Sequence, residues 1–239
     1  MNSLSILRFG LLLVLSASSG LCVAGIQVGG TRIVFPASDR EATIQVRNEG
    51  SDDIMIQSWI EATPEQAGRE VPFAITPSLA RLSHKKQQAL RIFYQGKGLP
   101  EDRESVFWLS VQEIPQLSEN DNNLQVAFRQ RLKLFYRPAK LPGNPDEAAK
   151  SLKWSVVSTS GETKLLADNP SAFHVSLGEA TLLFNGKEYP VETQMVAPME
   201  SVSMNVKGLS GKINESFEVR WDSINDYGAL VKHQSPLQI

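Results

Sequence analysis

The sequence predicts an all-β protein built as two β-sandwich domains, and three observations predict it. Short runs rich in β-branched, aromatic or alternating apolar residues recur along the chain, which is the period-2 signature of half-buried strands. Clusters of Gly, Pro, Asn, Asp and Ser separate these runs, as expected of many short strands joined by turns. No segment sustains a 3.6-residue apolar period, so no substantial helix is expected. The 239 residues suffice for one large domain or two of about 100 residues each.

Residues 1–24 are expected to be a secretory signal outside the fold. Residues 1–8 carry one side-chain charge, Arg8, and 9–15 form a short apolar run. Cys22, Val23 and Ala24 place small residues at the usual cleavage spacing, so cleavage is expected after Ala24. The apolar run is too short for a membrane span, and no stable membrane insertion is expected. A lipoprotein site at Cys22 is disfavoured because Leu21 is large. Cleavage would remove the one cysteine and one of 24 basic residues, taking the formal net charge from −2 to −3. Exported proteins depend on disulfides chiefly when their cores are small, so a chain with none fits two full-sized domains.

The first half carries strand signals at 31–35, 42–47, 54–60, 89–94, 105–111 and 124–137. Turn clusters at 48–53, 95–98 and 118–123 lie between them. Ile54, Ile56, Ser58 and Ile60 share one strand face while Met55 and Trp59 share the other, so this strand is expected to be covered on both sides. About seven short strands at this spacing suggest an immunoglobulin-like sandwich. Pro138, Pro142, Gly143 and Pro145 punctuate the chain and favour a bent linker. Residues 25–141 are therefore read as one domain and 142–239 as a second. Residues 146–150 would form one helical turn, with Asp146 and Glu147 at its start. Strand candidates follow at 152–157, 164–167, 174–177, 180–184, 201–206 and 217–221, and Asn185 with Gly186 signals a tight hairpin.

Composition and motifs argue against catalysis and nucleic-acid binding. The three histidines, His84, His174 and His233, are far apart and sit in no metal-ligand or nucleophile motif. Nucleophile-elbow and phosphate-loop signatures are absent, and the near-neutral charge gives no support to a polyanion partner.

The strand at 124–137 is the most informative stretch. Leu124, Val126, Phe128, Leu132, Leu134 and Tyr136 occupy even positions, Gln130 being the exception, the odd positions are mostly polar or cationic, and Pro138 ends the run. Lys133 through Pro138 resembles a signature of the periplasmic pilus chaperones of the chaperone–usher pathway, the PapD-like family. Other segments resemble that family in the same order. They are 31–35, 57–60, 99–105, 113–115, 168–170 and 224–228. The short stretch at 116–123 is similar to the loop of its short-loop subclass.

The resemblance implies two immunoglobulin-like domains in an L shape, with no catalysis and no cofactor or metal. The implied partners are pilus subunits and an outer-membrane usher, and a self-capping homodimer of the free protein is left open. It implies that Arg32 and Lys133 anchor a subunit's C-terminal carboxylate, a task suited to a planar fork and a compact charge. Leu124, Val126 and Phe128 would fill a groove on the subunit. Glu113, Arg137 and Asp226 would form an interdomain ion network, and Trp59 would be buried. Lys133 is odd-numbered and the apolar row even-numbered, so either a bulge intervenes or the lysine lies near the hinge. The rival class is a secreted two-domain binding or structural protein of a surface fibre. Such a subunit would have a complementary N-terminal extension, for which residues 25–30 are too short.

Overall fold

A computed structural model describes residues 25–64, 68, 70–116, 126–159, 162–210 and 216–237. The expected signal at 1–24 lies outside the described residues. The first domain contains β1 (Ile26–Val28), β2 (Arg32–Pro36), β3 (Ala42–Asn48), β4 (Ile54–Ala62), β5 (Phe73–Thr76), β6 (Leu79–Leu82), β7 (Gln87–Tyr94), β8 (Ser105–Ile114) and β9 (Arg129–Arg137). One sheet has the order β1-β3-β7-β5 and the other β2-β9-β8-β4-β6. The chain enters in the first sheet and crosses at Gly29 and Gly30 to the second. There β2 runs parallel to β9, whereas the other pairings in this domain are antiparallel.

Alternation built this domain. In β3 the residues Ala42, Ile44 and Val46 face the core while Thr43, Gln45 and Arg47 face water. Fully buried Val46, Leu90, Ile92, Leu109, Val111 and Leu134 close the space between the sheets. Strand β4 follows the expected parity with one correction. Ile54, Ile56 and Ser58 are buried, but Trp59 is only half-buried and lies on the outward face, where Arg129 stacks over its ring at 4.6 Å. A cation and its aliphatic stem supply this cover, not a second hydrophobic layer.

The second domain follows a one-turn helix, α1 (Pro145–Lys150), capped by Asn144, whose side chain accepts a hydrogen bond from the Glu147 N–H at 2.9 Å. It contains β10 (Lys153–Thr159), β11 (Glu162–Asn169), β12 (Leu177–Phe184), β13 (Lys187–Val191), β14 (Glu200–Ser210), β15 (Phe217–Ile224) and β16 (Leu230–Leu237). These form one curved sheet, β10-β11-β14-β13-β12-β15-β16, whose halves meet at the single pair Val191–Val206. Leu165, Leu182, Val196, Met204 and Val219 fill the space it encloses. Asn185 and Gly186, with φ of 50° and 71°, make the two-residue turn between β12 and β13. Of the candidate at 174–177 only Leu177 joins a strand, as the first residue of β12, while Val175 makes an isolated bridge with Val196. Among the described residues no helix is long and apolar enough to cross a membrane.

Candidate functional site

The outward face of β9 and the facing edge of the second domain form the candidate site. Pairing of β9 with β8 is regular from Arg129 to Tyr136, and the Glu113 N–H donates to the Phe128 carbonyl at 2.9 Å, extending the same register. No bulge separates Phe128 from Lys133. Even positions Leu132, Leu134 and Tyr136 point into the core, and odd positions Arg129, Arg131, Lys133, Phe135 and Arg137 point away from it. The parity difficulty therefore resolves at the hinge. The second domain packs against the odd face, where the Lys133 ammonium donates to Ser176 Oγ at 3.1 Å.

The apolar row requires a correction. The expected strand at 124–137 is a strand only over Arg129–Arg137, and Val126 and Phe128 precede it in irregular backbone, 58% and 56% exposed. Leu124 lies outside the described residues, as does most of the expected loop at 116–123.

Parallel pairing of β2 with β9 sets Arg32 beside Lys133. Arg32 Nη1 donates to the Ile224 carbonyl at 2.8 Å, and its Nε is buried with no hydrogen-bond partner. The guanidinium also sits 5.9 Å from the Phe135 ring centroid. Burial lowers the Arg32 pKa, opposed by the charges of Asp226 and Glu104. Burial, and then the neighbouring Arg32 charge, pull the Lys133 pKa down to about 8. The other cations of β9 are matched: Glu61 pairs Arg129 and Arg131, and Glu104 and Asp226 pair Arg137. Arg32 and Lys133 have no ion pair among the described residues. A cleft of about 250 Å³ opens beside them, its wall including Arg32, Phe135, Ser176 and Ile224.

The edge of β9 completes the geometry. Strand β8 covers one edge over its whole length, but β2 covers the other only from Lys133 onward. Towards its N-terminus no described strand pairs with that edge, which leaves backbone hydrogen-bonding groups of the kind another strand can pair with.

The ion network also differs from expectation. Arg137 donates to Asp226 through both terminal nitrogens, at 2.7 and 3.0 Å, and through Nε to Glu104 at 2.8 Å. Glu104 Oε2 accepts from the His174 N–H at 2.9 Å and lies 3.2 Å from Nδ1 of that ring. Burial pulls the Arg137 pKa down, but hydrogen bonds and charge from Asp226 and Glu104 outweigh it and raise the value. Glu113 takes no part. It lies at the far end of β8, about 30 Å from Glu104 by strand rise, buried with Oε2 lacking any partner, and burial alone raises its pKa. Glu104 was missed by the sequence reading: what places it beside Arg137 is the pairing of the next residue, Ser105, with Tyr136, which no local pattern encodes.

Two family models match the chain. One is for pili and flagellar-assembly chaperones, PapD N-terminal domain, over residues 25–142, and the other for the PapD C-terminal domain, over residues 147–235. The chain is 36% identical over 230 residues to the probable fimbrial chaperone YadV of Escherichia coli, covering 92% of this chain and 93% of that one. It is 37% identical over 226 residues to the chaperone protein FimB/FhaD of Bordetella pertussis, covering 90% and 88%. The crystal structure of the YadV chaperone superposes with a TM-score of 0.80 at 37% identity, over 90% of this chain and 100% of that one. The SafB chaperone of Salmonella enterica, solved in complex with the SafA pilin, gives a TM-score of 0.74 at 27% identity over 92% and 99%. The chain belongs to the PapD family of pilus-assembly chaperones.

Proposed function

We propose that this protein is a periplasmic chaperone that binds pilus subunits by strand addition along β9 and hands them to an outer-membrane usher. The observation that carries the reading is the uncovered edge of β9 running into Arg32 and Lys133. An incoming strand would gain main-chain hydrogen bonds along that edge and end with its terminal carboxylate between two cations that lack an ion pair. Charge fixes the register, because any slip leaves the carboxylate unpaired. Exposed Val126 and Phe128, with Leu124, would occupy apolar pockets of the subunit. Burying three such side chains contributes about 5–8 kcal/mol gross, before ordering costs. Export and cleavage after Ala24 place the protein in the periplasm. The rival reading, a structural component of a fibre, is disfavoured by the chaperone identity of the relatives.

The test is pull-down of a co-exported subunit whose C-terminus is either a carboxylate or an amide. The carboxylate form should be retained, and Arg32→Ala or Lys133→Ala should abolish or greatly weaken retention. Equal retention of both tails by the unaltered protein refutes the anchor. Sedimentation of the free protein decides whether it self-caps as a dimer.

A further inference from the structure

Glu113 is a buried carboxylate whose Oε2 has no hydrogen-bond partner among the described residues, and Gly25 lies against it. A Cβ added at Gly25 would stand 2.1 Å from Glu113 Oε2 and 3.0 Å from Cδ. Bond geometry puts the Gly25 nitrogen about 2.5 Å from that same point, hence within about 4.6 Å of the carboxylate. The glycine is held in place from three directions. Its carbonyl accepts the Glu49 N–H at 2.8 Å, the next residue, Ile26, is 4% exposed, and the Ile26 carbonyl accepts Gln130 Nε2 at 2.8 Å. The nearby Glu49 carboxylate is already engaged by Arg47 and Lys85. Glu113 Oε2 has nothing.

A buried carboxylate facing an uncharged backbone is costly, whereas the same group facing a cation is not. Hydrolysis of the Ala24–Gly25 peptide bond by water leaves a carboxylate on Ala24 and an amine, protonated at neutral pH, on Gly25. We propose that Glu113 is the docking site for the α-ammonium created by signal cleavage, so that processing itself completes the seating of β1. Rotation about the glutamate side-chain bonds closes the gap to a charge-assisted hydrogen bond of about 2.7–2.9 Å. The inference rests on the reading that export is followed by cleavage after Ala24.

The experiment crosses two changes in the full mature chain. Exported, processed protein is compared with an otherwise identical chain carrying two extra residues ahead of Gly25, each with Glu113 and with Glu113→Gln. Intact mass fixes the first residue. Thermal midpoints and the titration of the α-amine, followed by NMR of a 13C-methyl label on it, give the coupling. In processed protein Glu113→Gln should lower the midpoint, and the amine should titrate above the ordinary range of about 7.7–8.0, returning to it in the variant. In the extended chain Glu113→Gln should be neutral or stabilising, because the amide removes an unpaired buried charge. A mass starting elsewhere than Gly25 overturns the signal reading and the inference together. A Gly25 start with the same Glu113→Gln effect in both chains overturns the inference alone.

Discussion

Lys133 should weaken the free protein at neutral pH in return for its binding role, and pH separates the two effects. Its pKa is lowered from the ordinary 10.5 to about 8 by burial and then by Arg32. Below pH 8 folded and unfolded chains both hold the proton, so the penalty is constant. Between pH 8 and 10.5 the unfolded chain holds a proton that the folded chain has lost, and stability rises with pH. A displacement of this size converts to about 3 kcal/mol at most. The ammonium is partly open to solvent, and screening reduces the figure to about 1–2 kcal/mol. Lys133→Met keeps the apolar stem and removes the titration. The loss of its hydrogen bond to Ser176, worth about 1.5 kcal/mol, offsets much of the relief at pH 7, so the two proteins should unfold there at similar denaturant concentrations. Urea unfolding of both at intervals from pH 7 to 10.5 should then show the unaltered protein gaining about 1–2 kcal/mol on the variant, with all other titrations cancelling in the difference. Subunit capture should run the other way. Affinity of the unaltered protein should fall above pH 8, approaching tenfold per pH unit, because a neutral amine cannot pair a carboxylate, whereas the variant should bind weakly at every pH in this window. A stability difference that stays flat from pH 7 to 10.5 would refute the reasoning, as would capture by the variant equal to that of the unaltered protein.

Arg137→Ala should destabilise the protein by about 3–5 kcal/mol, because it leaves Glu104, almost wholly buried, facing Asp226 with no cation between them. Chemical unfolding measures the loss and small-angle scattering reports the interdomain angle, with no change in either rejecting the network. Phe128→Glu should abolish subunit capture while leaving the thermal midpoint within about 1 °C, since the side chain is 56% exposed in the free protein and the change is a surface one. A large fall in the midpoint would place Phe128 in the core instead. Gly228→Ala should destabilise by more than about 1 kcal/mol, since the position has φ of +83° and a Cβ there would lie 2.3 Å from Thr31 Oγ1 of the first domain. An unchanged unfolding curve would show that this contact between domains yields without cost.

Local pattern determined the fold class and most strand cores, because alternation and turn chemistry act within a few residues. It was weaker for β1, β5, β6, β13 and β16, which are short or broken in pattern and owe their pairing to distant partners. The Asn185–Gly186 hairpin and the helical turn at 146–150 were legible for the same local reason that they are stable. Arg32 and Lys133 were found through motif resemblance. That they are neighbours follows from parallel pairing across about one hundred residues of chain, which no local period encodes. Glu113 and Glu104 divide the two kinds of knowledge most clearly. Both are glutamates of one stretch of sequence, and resemblance favoured the wrong one. Strand length separates them, placing Glu104 against Arg137 and His174 at the hinge and leaving Glu113 beside Gly25 at the opposite end. Which charges meet is settled by where distant strands pair and where the second domain packs, because Coulomb and hydrogen-bond energies depend on distance through space and not along the chain.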